Sequence, residues 1–270
     1  MKTVLTIAGS DCSGGAGIQA DLKTIGAHCL YGMSVITALT AQNTIGVQEV
    51  AMVPALFVAS QLDSVLGDIP PDAVKIGMIG SEENLQVIVQ KLVEYNVKKI
   101  VVDPVMLSTS GTRLLTERAV EQLEKLLFPL STLITPNIPE AQALWGSRID
   151  SLRTMEVAAL SLSRRYGTAV LLKGGHMDGR ADDLLCWEGE LHWFPGRRVE
   201  NPNTHGTGCT LSSAIACGLA EGKSMEKSVV LAKDYLNGAL EANLDLGEGN
   251  GPLDHFYLYR DRQALGEDTL

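Results

Sequence analysis

The chain has 270 residues, of which 45% are hydrophobic, 5% aromatic and 20% charged, and its net charge is −10 at neutral pH. This length and apolar content are sufficient for a large buried core, in one large domain or two small ones. The acidic balance argues against a protein that binds nucleic acid or an anionic membrane, although a local pocket can still hold an anionic small molecule.

The predicted elements alternate between strand and helix almost to the end of the chain. Apolar periodicity and turn residues predict, in chain order, a strand at 4–8, a helix at 16–30, a strand at 34–41, a helix at 54–67, a strand at 73–76, a helix at 82–95, a strand at 99–102, a helix at 117–127, a strand at 131–134, a helix at 154–166, a strand at 168–172, a hairpin of strands at 183–187 and 191–194, and helices at 210–221 and 225–242.

This alternation predicts an α/β fold with a mostly parallel central sheet and helices on both faces. The sequence contains no internal repeat and no obvious linker. We therefore expect one domain over residues 1–260, followed by a polar C-terminal tail at 261–270.

The cysteines and the N-terminus indicate the compartment. The five cysteines are odd in number and widely spaced, and none forms a CxxC pair, so no zinc or disulfide framework is recognisable. The apolar run at residues 3–8 is too short for a signal peptide, and no stretch is long and apolar enough to span a bilayer. We expect a cytoplasmic protein without membrane or nucleic-acid partners.

Polar residues follow several predicted strands at the point where each strand ends. These residues are Gly9-Ser10-Asp11, Gln42-Asn43, Asp103, Asn137 and Lys173. In open α/β sheets ligands bind at the carboxyl ends of the strands, so we expect these groups to meet at one rim of the sheet.

The most informative stretch is the run His205-Gly206-Thr207-Gly208-Cys209-Thr210-Leu211-Ser212-Ser213-Ala214-Ile215-Ala216. Its two glycines let backbone amides turn toward one point, and the helix predicted after them directs its positive end toward the same point. The run predicts an anion pocket with Cys209 at its rim. The helix end favours a thiolate, which makes Cys209 a candidate base or nucleophile near neutral pH. The alternative is a glycine turn with a buried structural cysteine.

The remaining candidates are consistent with phosphate and metal binding. Lys173 is placed to reach a phosphate as a point charge, or else lies in solvent beside a turn. Asn137 and Glu140 can face one side of a helix start and suit Mg²⁺; the alternative is that they cap the helix and complement its dipole. Asp103 joins this metal site through water or caps the next turn. The sequence has neither a Walker A motif nor GxGxxG, so any phosphotransferase here is not a P-loop enzyme.

At this point the motifs match a known family. The sequence resembles the hydroxymethylpyrimidine/phosphomethylpyrimidine kinases of thiamine synthesis over nearly its whole length. The matching motifs, in order, are Gly9-Ser10-Asp11, Gly14-Gly15-Ala16-Gly17-Ile18-Gln19-Ala20-Asp21-Leu22-Lys23, Thr37-Ala38-Leu39-Thr40-Ala41-Gln42-Asn43-Thr44, Lys75-Ile76-Gly77-Met78, Asp103-Pro104-Val105-Met106, Thr135-Pro136-Asn137 with Pro139-Glu140-Ala141, Lys173-Gly174-Gly175-His176, the 205–210 run, and Gly251-Pro252 near His255-Phe256.

The resemblance implies a ribokinase-like fold and two ATP-dependent phosphorylations, first of the pyrimidine's hydroxymethyl group and then of the monophosphate. By position, it implies that Asp21 and Gln42 hydrogen-bond the aminopyrimidine edge beside the Gly9 backbone, and that Met78 and Val105 line the faces of the ring.

The resemblance also implies the catalytic and nucleotide contacts. Cys209 stands where the related sugar kinases have an aspartate base, and the amides of Gly206, Thr207 and Gly208 neutralise charge on the transferred group. Lys173, Asn137, Glu140 and Thr207 bind ATP. Asn137, Glu140 and Asp103 also organise Mg²⁺, which Asp103 and Glu140 hold through water. His205 matches the motif without a catalytic role. The family further implies a homodimer.

One departure concerns the loop after the Asp-Pro-Val-Met run. Family members often have a lysine there, whereas this chain has Ser108-Thr109-Ser110. This difference most directly affects how the phosphate groups are bound during the second phosphorylation.

Three other functions stay open on the sequence. A pyridoxine/pyridoxal kinase of the same superfamily is the nearest, but its members tend to have an apolar residue where this chain has Gln42, whose amide matches an aminopyrimidine edge. A cysteine hydrolase or acyl transferase would need a histidine within reach of Cys209 and would not depend on ATP. A pyrimidine-sensing module without turnover would not need the combination of Lys173, Glu140 and Cys209.

Overall fold

The computed structural model describes residues 1–106, 116–175, 181–196, 199 and 201–260. The described chain forms one nine-stranded sheet in the order β3-β2-β1-β4-β5-β6-β7-β8-β9. The strands are β1 Thr3–Asp11, β2 Tyr31–Gln42, β3 Val47–Met52, β4 Ala73–Ile76, β5 Ile100–Val102, β6 Leu133–Ile134, β7 Ala169–Leu172, β8 Asp183–Trp187 and β9 Glu190–Phe194.

Six neighbouring strands run parallel, in the spatial order β2, β1, β4, β5, β6 and β7. At the two edges of the sheet, β3, β8 and β9 pair antiparallel. The helices are α1 Gly17–Ala27, α2 Ala55–Asp68, α3 Glu82–Glu94, α4 Glu117–Gln122, α5 Ile138–Trp145, α6 Leu152–Tyr166, α7 Thr207–Ala220 and α8 Met225–Glu241. The α/β class and the mostly parallel sheet are therefore confirmed.

Helices cover both faces of the sheet because alternate strand residues point to opposite sides. On β5, Ile100 and Val102 pack into one core with α2, α3, α5 and α6, and Val101 packs into the other core with α1, α7 and α8. The central strands are buried on both sides, so β5 and β7 are continuous apolar runs, and β4 departs from this pattern only at the buried Lys75.

Helix α7 lies deepest in the molecule, because all its residues from Thr210 to Ala220 are buried. Its sequence is rich in alanine, serine and glycine, and Gly218 lies directly against Ser228 of α8. These small side chains let α7 run close to both the sheet and α8. Its N-terminus is thereby fixed in the protein interior, at the carboxyl ends of the strands.

The structure differs from the sequence prediction at several element boundaries. Strand β3 was not predicted, because its side chains are almost all exposed and lack a buried alternation. Helix α7 begins at Thr207, inside the glycine run, and not at residue 210. The hairpin between β8 and β9 is confirmed; it turns at Glu188 and Gly189, which have φ of 52° and 83°.

None of the helices in the described ranges is long and apolar enough to cross a bilayer. The single domain over residues 1–260 stays a prediction. The predicted tail at 261–270 and the Ser108-Thr109-Ser110 loop lie outside the described residues.

Candidate active site

A cavity of about 1020 Å³ opens at the carboxyl ends of the parallel strands, where the N-terminus of α7 also points. All of the predicted site residues except Asp21 line it. These are Gly9, Gln42, Met78, Asp103, Val105, Asn137, Glu140, Lys173, Gly206, Thr207, Gly208 and Cys209. Residues more than 160 positions apart in the chain meet here because each follows a strand end or opens a helix at the same rim.

The N-terminus of α7 forms the anion-binding part of the cavity. Gly206 caps the helix with φ of 86°, a left-handed conformation that favours glycine, and its carbonyl accepts from the Thr210 amide at 2.9 Å. A side chain on Gly206 would run into the Gly15 backbone. The first amides of a helix have no partner within it; the Thr207 amide donates to the Thr204 carbonyl at 3.3 Å, and those of Gly208 and Cys209 are placed to meet an anion in the cavity.

Cys209 is a protonated thiol in this environment. Burial raises its pKa to about 11, although the Lys75 cation and the Gly17 amide both favour the thiolate. The expectation that the helix end makes Cys209 a thiolate near neutral pH is therefore wrong. Removing the sulfur from water costs the charged form more than the helix dipole returns.

Lys173 and Asp103 form an ion pair beside the α7 N-terminus. Lys173 Nζ lies 2.7 Å from Asp103 Oδ1, which also accepts from Thr135 Oγ1 at 3.3 Å. Burial lowers the pKa of Lys173, but the Asp103 and Glu140 carboxylates outweigh it, and the pKa is raised. A Cβ on Gly208 would lie 3.0 Å from Asp103 Oδ2 and 3.3 Å from Lys173 Nζ. Glycine therefore keeps a gap between the helix end and the ion pair.

Asn137 and Glu140 form a capping box at the start of α5. Asn137 Oδ1 accepts from the Glu140 amide, and Glu140 Oε2 accepts from the Asn137 amide, both at 2.9 Å. The capping interpretation of these two residues is confirmed. Burial, together with the nearby charge of Asp103, raises the pKa of Glu140 to about 7, and Lys173 opposes that shift.

The carboxylates of Asp103 and Glu140 fit a hard divalent cation. Their repulsion in a buried site would be relieved by a cation, and oxygen donors suit Mg²⁺, which keeps several waters and takes few protein ligands. In the described part of the chain no three His, Cys, Asp or Glu side chains cluster closely enough to hold a metal directly. The donor set therefore fits an ion held through water and shared with a ligand's phosphates.

Asp21 does not line the cavity, and its predicted hydrogen bond to a substrate stays a prediction. Its side chain is fully buried, and both carboxylate oxygens lie 2.8 Å from Lys75 Nζ. Asp21 also accepts from Thr6 Oγ1 at 2.6 Å and Ser213 Oγ at 2.8 Å. These partners occupy the carboxylate, and the pair places a buried cation beneath Cys209.

The other end of the cavity suits a flat ring. Met78 packs against the Gly9 backbone, where a Cβ would lie 3.1 Å from the Met78 sulfur. Val105 and Gln42 line the same end, with Gln42 at the carboxyl end of β2. The arrangement offers apolar walls, exposed backbone at a glycine and one side-chain amide.

Two residues of this site were not assigned a role from the sequence. His205 Nε2 lies 2.8 Å from Asp11 Oδ2 and 3.1 Å from Gln42 Nε2, and both His205 and Asp11 are buried and line the cavity. Both residues stand in the matching motifs, but their pairing joins positions 194 residues apart, which no local pattern reveals.

Comparison with known proteins gives a consistent assignment. Residues 11–254 match the family model described as phosphomethylpyrimidine kinase. A hydroxymethylpyrimidine/phosphomethylpyrimidine kinase of Streptomyces coelicolor is 46% identical over 267 residues, covering 98% of this chain and 96% of the relative. A thiamine biosynthesis bifunctional protein of Geobacter sulfurreducens is 48% identical over 260 residues; the match covers 96% of this chain but only 53% of that relative, about half its length.

Solved structures agree with the fold. The pyridoxal kinase of Staphylococcus aureus, in complex with AMP-PCP and pyridoxal, superposes with a TM-score of 0.88 at 34% identity, over 96% of this chain and 95% of that one. The described sheet and helices therefore have the ribokinase-like architecture.

Proposed function

The chain belongs to the phosphomethylpyrimidine kinase family, and from this premise we propose that it transfers phosphoryl groups from ATP to hydroxymethylpyrimidine and then to the resulting monophosphate, in thiamine biosynthesis. The observation that carries the proposal is the single cavity in which Lys173 and the α7 amides face the same space as Gln42. An anion-binding end and a ring-binding end in one cavity suit a phosphotransferase. A cysteine hydrolase needs a histidine beside its thiol, whereas the buried His205 and His255 contact Asp11, Gln42 and Thr210.

The residue roles follow from the chemistry of phosphoryl transfer, which depends on positioning and charge stabilisation more than on covalent help. The pyrimidine lies between Met78 and Val105 with its amino edge on Gln42, and its hydroxymethyl group points to Cys209. The amides of Gly208 and Cys209 receive the transferred phosphoryl group, and Gly206 caps the helix that presents them. Lys173 and Thr207 hold the phosphates of ATP.

Cys209 enters the first step as a neutral thiol. It orients the substrate hydroxyl for in-line attack, since a pKa near 11 leaves the sulfur protonated, and the hydroxyl proton passes to an oxygen of the transferred phosphoryl group as the new oxygen–phosphorus bond forms. In the second step the acceptor is already a largely ionised phosphate, so the orientation of a hydroxyl contributes less.

Asp103 and Glu140 would hold Mg²⁺ through water, and the bound ion would neutralise charge on the ATP phosphates. Asn137 contributes by fixing Glu140 through the capping box and by lining the cavity wall. When ATP and the ion bind, part of the attraction between Lys173 and Asp103 would be replaced by the attraction of Lys173 for the phosphates and of Asp103 for the ion.

We also propose the phosphorylation of pyridoxine as a side activity. The scaffold is shared with a pyridoxal kinase, and a hydroxymethyl group on a flat nitrogen ring fits the same cavity end. Gln42 makes the aminopyrimidine the better substrate, because its amide pairs with an amino group and an adjacent ring nitrogen.

The chain acts as a homodimer in the cytoplasm in this proposal. Its five cysteines are all free thiols, which suits a reducing compartment. The edge strand β3, the neighbouring β2 and the start of α2 carry exposed apolar side chains: Leu39, Ile45, Val50, Met52, Leu56 and Phe57. A second copy on this edge would cover both the apolar side chains and the unpaired strand.

The test is release of ADP from Mg²⁺-ATP with and without hydroxymethylpyrimidine. ADP release that requires the pyrimidine supports the proposal. In addition, Lys173→Met raises KM for ATP at least tenfold, because it removes a buried phosphate contact. Lys125→Met, an exposed lysine on the surface, is the matched control and leaves KM unchanged. Release independent of the pyrimidine contradicts the proposal.

A further inference from the structure

The strongest unassigned feature is the buried pair of Asp11 and His205 that contacts Gln42. Asp11 Oδ1 accepts from the Ser13 amide at 2.9 Å and Ser13 Oγ at 2.8 Å, and Oδ2 accepts from the Ala16 amide at 2.8 Å. Burial raises the pKa of Asp11, but these hydrogen bonds and the one from His205 outweigh it and the pKa is lowered. Asp11 is therefore a fixed acceptor.

A fixed acceptor determines where the imidazole proton lies. His205 Nε2 is 2.8 Å from Asp11 Oδ2, and an ionised carboxylate only accepts hydrogen bonds. Nε2 must therefore carry a hydrogen that points toward Asp11. The same N–H is then available to Gln42 as the second acceptor of a three-centre hydrogen bond, a common arrangement in proteins.

The proton on Nε2 determines which end of the Gln42 amide faces His205. The amide nitrogen and oxygen are nearly identical in shape, so hydrogen bonding decides their positions. An NH₂ group 3.1 Å from an N–H would place donor against donor, whereas the amide oxygen in that position accepts.

The other end of the amide independently requires the same orientation. It lies 3.2 Å from Thr40 Oγ1, and Thr40 Oγ1 already donates its only hydrogen to the Ser10 carbonyl at 2.9 Å. The Thr40 oxygen is left as an acceptor, which an NH₂ group satisfies and an oxygen does not. Both neighbours therefore turn the Gln42 oxygen to His205 and the Gln42 NH₂ to Thr40.

We propose that Asp11 and His205 act as positioning residues, which lock the Gln42 amide in one orientation and so set the preference of the cavity for an aminopyrimidine. The inference rests on the proposed function. A fixed oxygen accepts from the substrate amino group, and a fixed NH₂ donates to the adjacent ring nitrogen. Pyridoxine has no amino group beside the hydroxymethyl group that is phosphorylated, so its turnover does not depend on this lock.

The test compares kcat/KM for hydroxymethylpyrimidine with kcat/KM for pyridoxine. His205→Leu removes the donor, frees the amide to rotate, and lowers the value for the pyrimidine about tenfold, a loss typical of one hydrogen bond. In the same variant, kcat/KM for pyridoxine changes by less than about threefold. His205→Gln restores a donor and most of the preference. The matched control is His192→Leu, a histidine on β9 whose partners are Glu190 and Glu226.

A second comparison separates positioning from a merely structural role. In a Gln42→Leu background, His205→Leu has no further effect on the ratio of the two kcat/KM values, because its effect passes through Gln42. An equal loss for both substrates, or an undiminished effect in that background, overturns the inference while leaving the kinase function intact.

Two outcomes remain to be covered. If His205→Leu does not fold, Thr40→Val at the partly exposed opposite end of the amide decides the question: a fall in the ratio supports the lock and an unchanged ratio overturns it. If the wild-type chain phosphorylates no pyrimidine at all, the proposed function itself is wrong and the inference falls with it.

Discussion

Cys209 is the residue whose chemistry departs most from its sequence context. A cysteine at a helix N-terminus ordinarily has a lowered pKa, but here burial raises the pKa to about 11. In the proposed transfer Cys209 therefore keeps its proton and orients the substrate hydroxyl as a neutral thiol. This distinguishes it from the activated thiolates of cysteine hydrolases.

The first prediction concerns this thiol and the two phosphorylation steps. Cys209→Ala lowers the single-turnover rate of the first phosphorylation by about 10²-fold or more, because the neutral alcohol loses the group that orients it for attack. The second phosphorylation falls less than about tenfold, since its acceptor is already ionised. Rapid quench with chromatographic separation of mono- and diphosphate measures both rates. Equal losses in the two steps would refute the assigned role.

At this scale, the sequence predicted which residues reach the cavity better than how they behave there. Lys173, Glu140 and Gln42 were found because each follows a strand end or opens a helix, and strand ends share a rim. That Asp21 does not line the cavity could not be predicted, because the direction of a helix side chain depends on how α1 packs, which brings Lys75 and Ser213 to it. The pKa of Cys209 was misjudged because burial is a tertiary property.

At the scale of elements, the N-terminus of α7 depends on one backbone conformation. Gly206 and Gly222 both have left-handed φ, 86° and 81°, but only Gly206 faces other backbone, that of Gly15. Gly222 would meet open space. Substituting each of these two glycines therefore distinguishes the cost of a strained left-handed backbone from the loss of the anion-binding turn.

The second prediction uses this pair. Gly222→Ala lowers the free energy of unfolding by about 1 to 2 kcal/mol, the cost of a left-handed alanine, and leaves kcat unchanged. Gly206→Ala lowers stability further and reduces kcat/KM for ATP at least 10²-fold, because the first α7 amides move away from the phosphates. Denaturant unfolding and initial rates measure the two effects. Full activity in Gly206→Ala would contradict the role of this helix end.

The third prediction concerns the contact between α7 and the loop after α8. His255 Nε2 lies 3.0 Å from Thr210 Oγ1, and burial, assisted by Lys23, lowers the pKa of His255 from 6.5 to about 4. The unfolded chain therefore binds a proton here at a higher pH than the folded one. Stability from this group is fully present above pH 6.5, falls as pH drops toward 4, and changes no further below that.

The loss amounts to on the order of 3 kcal/mol over this window. Urea unfolding of the wild type and of His255→Gln at pH 7 and pH 4 measures it, and the decline is smaller in the variant, which has no imidazole to protonate. The same decline in both proteins would show that His255 does not titrate as described.

The elements with strong periodicity were the ones predicted well. The buried strands β5 and β7 are apolar on both faces, β4 is apolar except at Lys75, and α3 and α6 have clear polar and apolar sides. Strand β3 was missed because an exposed edge strand needs no apolar pattern, only a partner, and β2 supplies that. Helix α7 was placed three residues late because its first turn is held by contacts with the Gly15 region and not by its own sequence.

At the scale of the whole molecule, the exposed apolar edge formed by β2, β3 and the start of α2 sets the expected assembly. The fourth prediction is that sedimentation velocity gives a mass of twice 28.9 kDa. Leu56 is 84% exposed and Phe57 is 61% exposed, and we expect Leu56→Lys and Phe57→Lys to shift the protein toward the monomer. Val157→Lys, an exposed valine on α6, is the control and leaves the dimer intact. A wild-type monomer at micromolar concentration would contradict this assembly.

The account's central claim is that one cavity performs two successive phosphoryl transfers onto an aminopyrimidine. The most direct measurement is mass spectrometry of the products formed from Mg²⁺-ATP and equal amounts of hydroxymethylpyrimidine and pyridoxine in one reaction. The account predicts a pyrimidine monophosphate that rises first and a diphosphate that follows, with pyridoxine phosphate as a minor product. Pyridoxine phosphate as the sole product would contradict the account and identify a vitamin B6 kinase on the same scaffold.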